Sequence, residues 1–457
     1  MRKASPRPDV RRPRRWNFPQ PVRRQLGNGL RVAVFQRDGQ HIASAALVLD
    51  APLSLERPEI EGVATLVAQC LTEGTRAHPG SSYAEAVESR GASVFAVAGH
   101  SATQVLLDVP THALEEGLAL MAEAAAEPAL DAADVERQRE LRLADIDQEY
   151  ANSAVRAGIA FRSACVPRRF RAARPAGGEP GTLEAVSAAD VAAFHDAYYR
   201  PDGATLIVAG DFVGDPLPAI EAAFGRWAPS AGQDVRHELP QAKKPRYLLV
   251  DRPGAVQADI RLGAFGLDSC DPAYADLAVG CRALGGLFLS RLNKELREER
   301  GYTYGVGLGN HPFRSGGLAS LQGSFRTEVV VDALDRARVL MDVTAAPITD
   351  AEVVEAVAYE RGIMPLRYST AEGLVLGAAS LAADGLTADF VDAFTQALLL
   401  VTPQSATQAL QTVLPPDRLT LVVVGDADAL AGPLDDAGWP VKVISQHPET
   451  HHTRERR

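Results

Sequence analysis

The chain repeats itself once, at long range. Arg31-Val-Ala-Val-Phe-Gln-Arg37-Asp-Gly39 returns as Arg246-Tyr-Leu-Leu-Val-Asp-Arg252-Pro-Gly254, and Thr205-Leu-Ile-Val-Ala-Gly210-Asp211 returns as Thr420-Leu-Val-Val-Val-Gly425-Asp426, both at one offset of 215 residues. Two distant anchors sharing one offset point to a duplicated domain, because solenoid repeats are far shorter. The halves run over 21–228 and 246–430, joined by a Pro/Gly/Lys linker at 229–245. A basic, flexible tail is expected at 1–20 and a C-terminal extension at 431–457. A chain of 457 residues has ample length for two cores.

Within the first half the pattern predicts a hairpin of strands 29–37 and 42–50 and a helix over 57–73. Strands follow at 92–98 and 102–110, helices at 111–125, 131–165, 187–198 and 215–226, and a late strand at 204–210. The second half offers strands at 246–252, 256–264, 302–309 and 316–325. Hairpins mixed with runs of helix argue for an α+β fold: two homologous domains, each a mainly antiparallel sheet with helices packed on one face.

The first 25 residues hold nine Lys or Arg against one acid, so of a formal charge of −11 the rest of the chain carries −19. Such a body repels nucleic acid. No apolar run approaches the ~20 residues of a membrane span, and no apolar h-region follows the basic start. The expectation is a cytoplasmic protein with neither nucleic-acid nor membrane partners. Cys70, Cys165, Cys270 and Cys281 form no C-x-x-C pair and read as buried thiols.

Chemistry enters at Gly62-Val-Ala-Thr65-Leu-Val-Ala68-Gln69-Cys-Leu-Thr-Glu-Gly74-Thr75. This frame, after a hairpin in a two-domain repeat, resembles the pitrilysin/insulinase family, the inverzincin metallopeptidases. The resemblance implies H-x-x-E-H here, with two His on one helix face for zinc and a Glu to activate water. Thr65 and Gln69 stand at the two His positions, Ala68 at the Glu position, and the family's distal Glu ligand falls at Asp145. A hydroxyl and an amide do not replace imidazoles, and Ala68 leaves no base. The histidines offer no substitute: His41, His78, His100, His112, His195, His237, His311 and His447 are scattered singly, and His451-His452 lie in a polar tail. No metal is expected in this chain.

In the second half, Ser290-Arg291-Leu292-Asn-Lys-Glu-Leu296-Arg297-Glu-Glu-Arg300-Gly301-Tyr302-Thr-Tyr304-Gly305-Val306 reads as a helix capped by Gly301. A strand follows on which Tyr302, Tyr304 and Val306 share a face. The stretch is similar to the family's second-domain signature, in which an Arg and a Tyr face the zinc site of the opposing domain. By position these are Arg297 and Tyr304, with Gly285, Gly286, Ser290, Arg291 and Leu292 in the surrounding frame. Such donors suit a substrate carbonyl and an oxyanion. The run Gly305-Val-Gly307-Leu-Gly309 reads as a strand that another backbone can approach closely, not as a phosphate loop.

A dead metal half beside an intact Arg/Tyr half implies, through the resemblance, the zinc-free subunit of a heterodimeric zinc endopeptidase. Bacterial heterodimeric peptidases and mitochondrial processing peptidase are built this way. Arg297 and Tyr304 would act in trans on a peptide held with an H-x-x-E-H partner that carries the zinc. The alternative is a scaffold or peptide-binding protein of peptidase ancestry.

Overall fold

The computed structural model describes residues 16–229, 235 and 237–446. Two six-stranded sheets carry the fold. The first holds β1 (Val22–Gln25), β2 (Arg31–Gln36), β3 (Ile42–Leu49), β4 (Ser93–Ala98), β5 (Thr103–Pro110) and β6 (Thr205–Gly210) in the order β1-β2-β6-β3-β5-β4. The second holds β7 (Tyr247–Asp251), β8 (Gln257–Gly266), β9 (Val306–Phe313), β10 (Gly316–Arg326), β11 (Thr420–Gly425) and β12 (Lys442–Ile444) in the order β12-β7-β11-β8-β10-β9. Most pairings are antiparallel. The exceptions are β2 with β6, β7 with β11 and β12 with β7.

The repeat extends to single hydrogen bonds. Arg31 donates to the Thr205 hydroxyl from its side chain and Arg246 to the Thr420 hydroxyl from its amide, each across 174 residues. The amide of Gly39 donates to Asp211 Oδ2 at 2.8 Å, and that of Gly254 to Asp426 Oδ2 at 3.0 Å, each across 172 residues. The same strand order corrects the expected opening hairpin. The strands before and after Asp38-Gly39 are not paired: β6 lies between β2 and β3, and β2 forms its hairpin with β1. The parallel strand arrives from 174 residues downstream, where no local pattern announces it.

Six helices position the sheets and the candidate site: α1 (Val63–Cys70), α2 (Ala132–Ala151), α3 (Ser153–Cys165), α4 (Ala371–Ala383), α5 (Asp389–Leu398) and α6 (Ala427–Asp436). The single helix expected over 131–165 breaks at Asn152, whose extended backbone ends α2 and whose side chain caps α3 by accepting from the amides of Ala154 and Val155.

Each sheet buries one face against helices of its own half. In the first, Ala43, Ala45, Leu47 and Leu49 of β3 join Leu206 and Val208 of β6 against Val63, Leu66 and Val67 of α1. The opposite face is covered by the other half. Ala46, Val48, Ile207 and Ala209 pack on Leu374, Val375, Ala378 and Ala379 of α4, while Val250, Val422 and Val424 of the second sheet pack on Ala157, Ala160, Phe161 and Ala164 of α3. The two-domain α+β architecture thus carries a second helical layer, exchanged between the halves. Strands buried on both faces read as unbroken apolar runs, as in Leu421-Val-Val-Val424.

Residues at both ends depart from expectation. Trp16 to Gln20 are strapped onto the fold rather than loose: Phe18 is buried edge-on against Phe35 and Tyr368, and its amide donates to Asp392 Oδ1 of α5 at 2.9 Å. The rest of the basic tail lies outside the described residues. The segment from 431 to 444 is no separate extension, since α6 buries Leu430 and Leu434 and β12 pairs with β7. In the linker, Glu238 accepts from the amides of Arg171 and Ala172, and the amide of Lys243 donates to the Cys165 carbonyl. Cys70, Cys165 and Cys281 are buried, and burial pushes each thiol up to about 12, whereas Cys270 is exposed.

Candidate functional site

α1 starts at Gly62, which has φ +104, and its first amides are satisfied from outside the helix. Glu56 Oε1 accepts from the amides of Gly62 (3.0 Å) and Ala64 (2.9 Å), while Glu56 Oε2 takes Arg171 Nε at 2.7 Å. Burial outweighs Arg171 and the two amides and raises the Glu56 pKa. The helix buries Val63, Ala64, Leu66, Val67, Ala68 and Cys70. Thr65 and Gln69, four residues apart, are the least buried positions on it. α2 packs beside α1, burying Val135, Arg142, Ile146 and Tyr150, with Asp145 exposed.

The segment 174–178 lies against both helices. Thr65 donates its hydroxyl to the Ala176 carbonyl at 3.3 Å, and Arg171 Nη2 donates to the same oxygen at 2.9 Å. Arg142 donates from Nε to the Gly177 carbonyl at 3.3 Å and holds Glu149 through both terminal nitrogens at 2.7 and 3.0 Å. A side chain on Gly178, at φ +80, would reach 2.3 Å from the Glu61 carbonyl, so this close approach requires glycine. Gln69 Oε1 is buried without a hydrogen-bond partner among the described residues. Among the described residues no group of three His, Cys, Asp or Glu is placed to hold a metal ion. The donors at the family's zinc position are one engaged hydroxyl, one amide and one carboxylate, and they do not fit a catalytic zinc.

In the second half, Arg291–Asn293 is helical and Lys294–Glu299 continues in wider π turns, ended by Gly301 at φ +63. The strand expected from residue 302 begins only at Val306, and Tyr302 and Tyr304 do not share a sheet face. Tyr302 turns inward and donates to Asp332 Oδ2 at 2.6 Å. Tyr304 is 96% exposed. The Arg297 guanidinium lies 4.2 Å from the Phe288 ring centroid, and its Nε is 3.3 Å from Glu298 Oε1. Phe288 and Leu289 are themselves exposed. Arg297 thus lies in the π turns before Gly301 and Tyr304 in the segment after it, while Thr65, Ala68 and Gln69 stand on α1 and Asp145 on α2. No hydrogen bond or ion pair joins the two groups among the described residues.

Sequence reasoning passed over Asn293. Its Nδ2 donates to the carbonyls of Val306 (2.9 Å) and Leu287 (3.1 Å), and its Oδ1 accepts from the Val306 amide at 3.0 Å. One buried side chain therefore fixes both the loop carrying Phe288 and the start of β9. An Asn inside a helical pattern, where it is a poor helix former, was the available signal. Beyond Asn293, β9 is an edge strand of its sheet, and side chains added at Gly307 or Gly309 would meet nothing closer than 3.5 Å. A cavity of about 500 Å³ lined by Tyr274, Arg282, Asn310, His311, Glu360 and Arg367 borders this edge. In the first sheet β4 is an edge strand, on which Phe95 and Val97 are exposed.

The fold and this degenerate helix define a peptidase-type protein, and the comparisons agree. Residues 31–163 match the model of the insulinase family, peptidase family M16, and residues 185–359 match that of the peptidase M16 inactive domain. The chain belongs to this family. It is 27% identical over 373 residues to an uncharacterized zinc protease of Mycobacterium tuberculosis, covering 78% of this chain and 80% of that one. An uncharacterized zinc protease of Bacillus subtilis is 21% identical over 296 residues, 65% of this chain and 71% of the relative. Among solved structures, a peptidase M16 inactive domain from Pseudomonas fluorescens superposes with a TM-score of 0.82 at 22% identity, covering 89% of this chain and 98% of that one. A protease from Helicobacter pylori gives 0.81 at 14% identity, over 90% and 100%. No helix among the described residues is long and apolar enough to cross a membrane.

Proposed function

We propose that this chain is the non-catalytic subunit of a heterodimeric zinc endopeptidase, lending Arg297 and Tyr304 to the active site of a zinc-bearing H-x-x-E-H relative. The observation that carries this reading is the contrast between two neighbouring tyrosines. Tyr302 is tied to Asp332 and serves the fold, whereas Tyr304 stands 96% exposed and contributes almost nothing to its own domain. A phenol and a guanidinium are the donors that a substrate carbonyl and a developing oxyanion need. The edge strands β4 and β9 offer backbone groups to an extended peptide. The helix that would carry the zinc donors has lost them, so the metal and the base come from the partner. The pair works in the cytoplasm.

The alternative, a peptide-binding scaffold with no catalytic duty, shares every feature except a need for Tyr304. Co-expression with a zinc-bearing relative from the same genome, followed by size exclusion and a peptide-cleavage assay, separates the two. A stable heterodimer whose cleavage depends on Tyr304 is the expected result, and full cleavage without that hydroxyl leaves the scaffold.

A further inference from the structure

Between the outer face of the first sheet and α4 lies a cavity of about 490 Å³, within the ~300–1,000 Å³ of small-molecule sites. Its floor is apolar, formed by Ala33, Phe35, Val48 and Ile207 of the sheet and by Ala378 and Ala382 of α4. Four arginines, Arg23, Arg24, Arg31 and Arg314, line it together with one acid, Asp50.

Two of these arginines are neutralised. Arg23 sits 2.9 Å from Asp389, and Arg314 3.5 Å from Asp50. Asp50 Oδ1 also lies 2.9 Å from His237 Nε2. Burial opposes the charge of Asp50, but His237, Arg314 and Arg31 outweigh it and hold the carboxyl below its usual range. The other two arginines have no carboxylate within ion-pair distance among the described residues. Arg24 Nη1 donates to the Arg23 carbonyl at 2.9 Å. Arg31 is aimed by Thr205 Oγ1 (3.1 Å from Nε) and the Gly203 carbonyl (2.8 Å from Nη2).

The fold does not demand this space. Against the second sheet the counterpart helix α3 brings Phe161 into a seam with Phe265 and Phe313, where α4 lines the cavity with Ala378 and Ala382. The chain's own N-terminal residues are the wrong occupant, since positions 1–15 carry seven basic residues and one acid.

We propose that this cavity binds an amphipathic anion, an apolar chain of medium length lying on the alanine-lined floor, with a carboxylate or phosphate held by Arg24 and Arg31. Guanidinium groups suit both head groups, because their planar fork matches two oxygens at once.

Calorimetric titration of the full chain tests this, using decanoate and decyl phosphate below their micelle concentrations, with decyltrimethylammonium and inorganic phosphate as controls. One equivalent of decanoate or decyl phosphate should bind, the tighter of the two naming the head group, and both controls should bind at least about tenfold more weakly. Arg24→Gln and Arg31→Gln should each weaken binding by about tenfold. Ala382→Leu, at a half-buried position, should block the chain while leaving the melting temperature in place. The proposal is overturned if the cation binds as tightly as the anions, if inorganic phosphate alone matches decanoate, or if binding is unchanged in the folded arginine variants and in Ala382→Leu.

Discussion

The backbone amide of Arg314 donates to the Ser101 hydroxyl at 3.1 Å, joining the tips of two hairpins, β4–β5 and β9–β10, that hold the same place in the two halves. Histidines flank this contact on both sides. His100 is held well below the ordinary histidine value by burial and by the charges of Arg162 and Arg171, and His311 is lowered by burial and by Arg261 and Arg162. A ring with a depressed folded pKa takes its proton on unfolding. The stability it contributes is therefore whole above about pH 6.5 and lost progressively as pH falls below that value. The melting temperature should drop on acidification from about pH 7.5 to about 5.5, and His100→Gln should flatten that profile. A profile indifferent to the substitution would place the acid sensitivity elsewhere.

Zinc content is the simplest check on the degenerate helix. The purified chain should hold less than about 0.1 equivalent after dialysis, because a hydroxyl, an amide and one carboxylate cannot compete with water for the ion. Near one equivalent, lost on substituting Thr65 or Gln69, would contradict the geometry at α1.

In the proposed heterodimer, Tyr304→Phe should lower kcat by about 10²–10³, the usual loss for one oxyanion donor, with little change in stability. Arg297→Ala should lower kcat and raise KM together. Tyr302→Phe serves as the inverse control: losing the bond to Asp332, which Arg336 still holds, should cost about 1 kcal/mol of stability while leaving turnover near normal at matched zinc content.

Asn293→Ala should be more damaging than its position beside the site suggests. It strands the Val306 amide and carbonyl, so a stability loss of about 2–3 kcal/mol is expected, with faster amide exchange at Val306. Where the variant stays folded, peptide cleavage by the complex should fall through misplacement of Tyr304, and Asn293→Gln should not rescue it.

The repeat was legible because the strands Arg31–Gln36 and Thr205–Gly210, like their counterparts, are short apolar runs whose spacing survives duplication. Their pairing was not, since β2 meets β6 rather than its sequence neighbour β3, and periodicity carries no information on long-range order. The expectation that α1 holds no zinc rests on three residue types, Thr65, Ala68 and Gln69, because metal chemistry tolerates few donors. Tyr302 and Tyr304 were harder. Strand alternation placed them together, but Gly301 and the Asn293 bonds delay the strand to Val306, and the two rings part. The segment 174–178 shows no periodic pattern at all, and its carbonyls matter only once the chain has folded.

The helices exchanged between the halves give the molecule the logic of a swapped homodimer whose two subunits have been written into one gene. Neither half is a self-sufficient folding unit, because each alone would leave one whole sheet surface wet: Val250, Val422 and Val424 without α3, and Ala46, Val48 and Ile207 without α4. Proteolytic nicking within 229–245 should therefore yield two fragments that migrate together and separate only in denaturant, while either piece expressed by itself should aggregate or pair with its own copy. Tolerance to mutation follows the same arithmetic. A substitution in α4 is felt first by the other half's sheet, so faults in this protein are inherited across the duplication rather than within the segment where they arise.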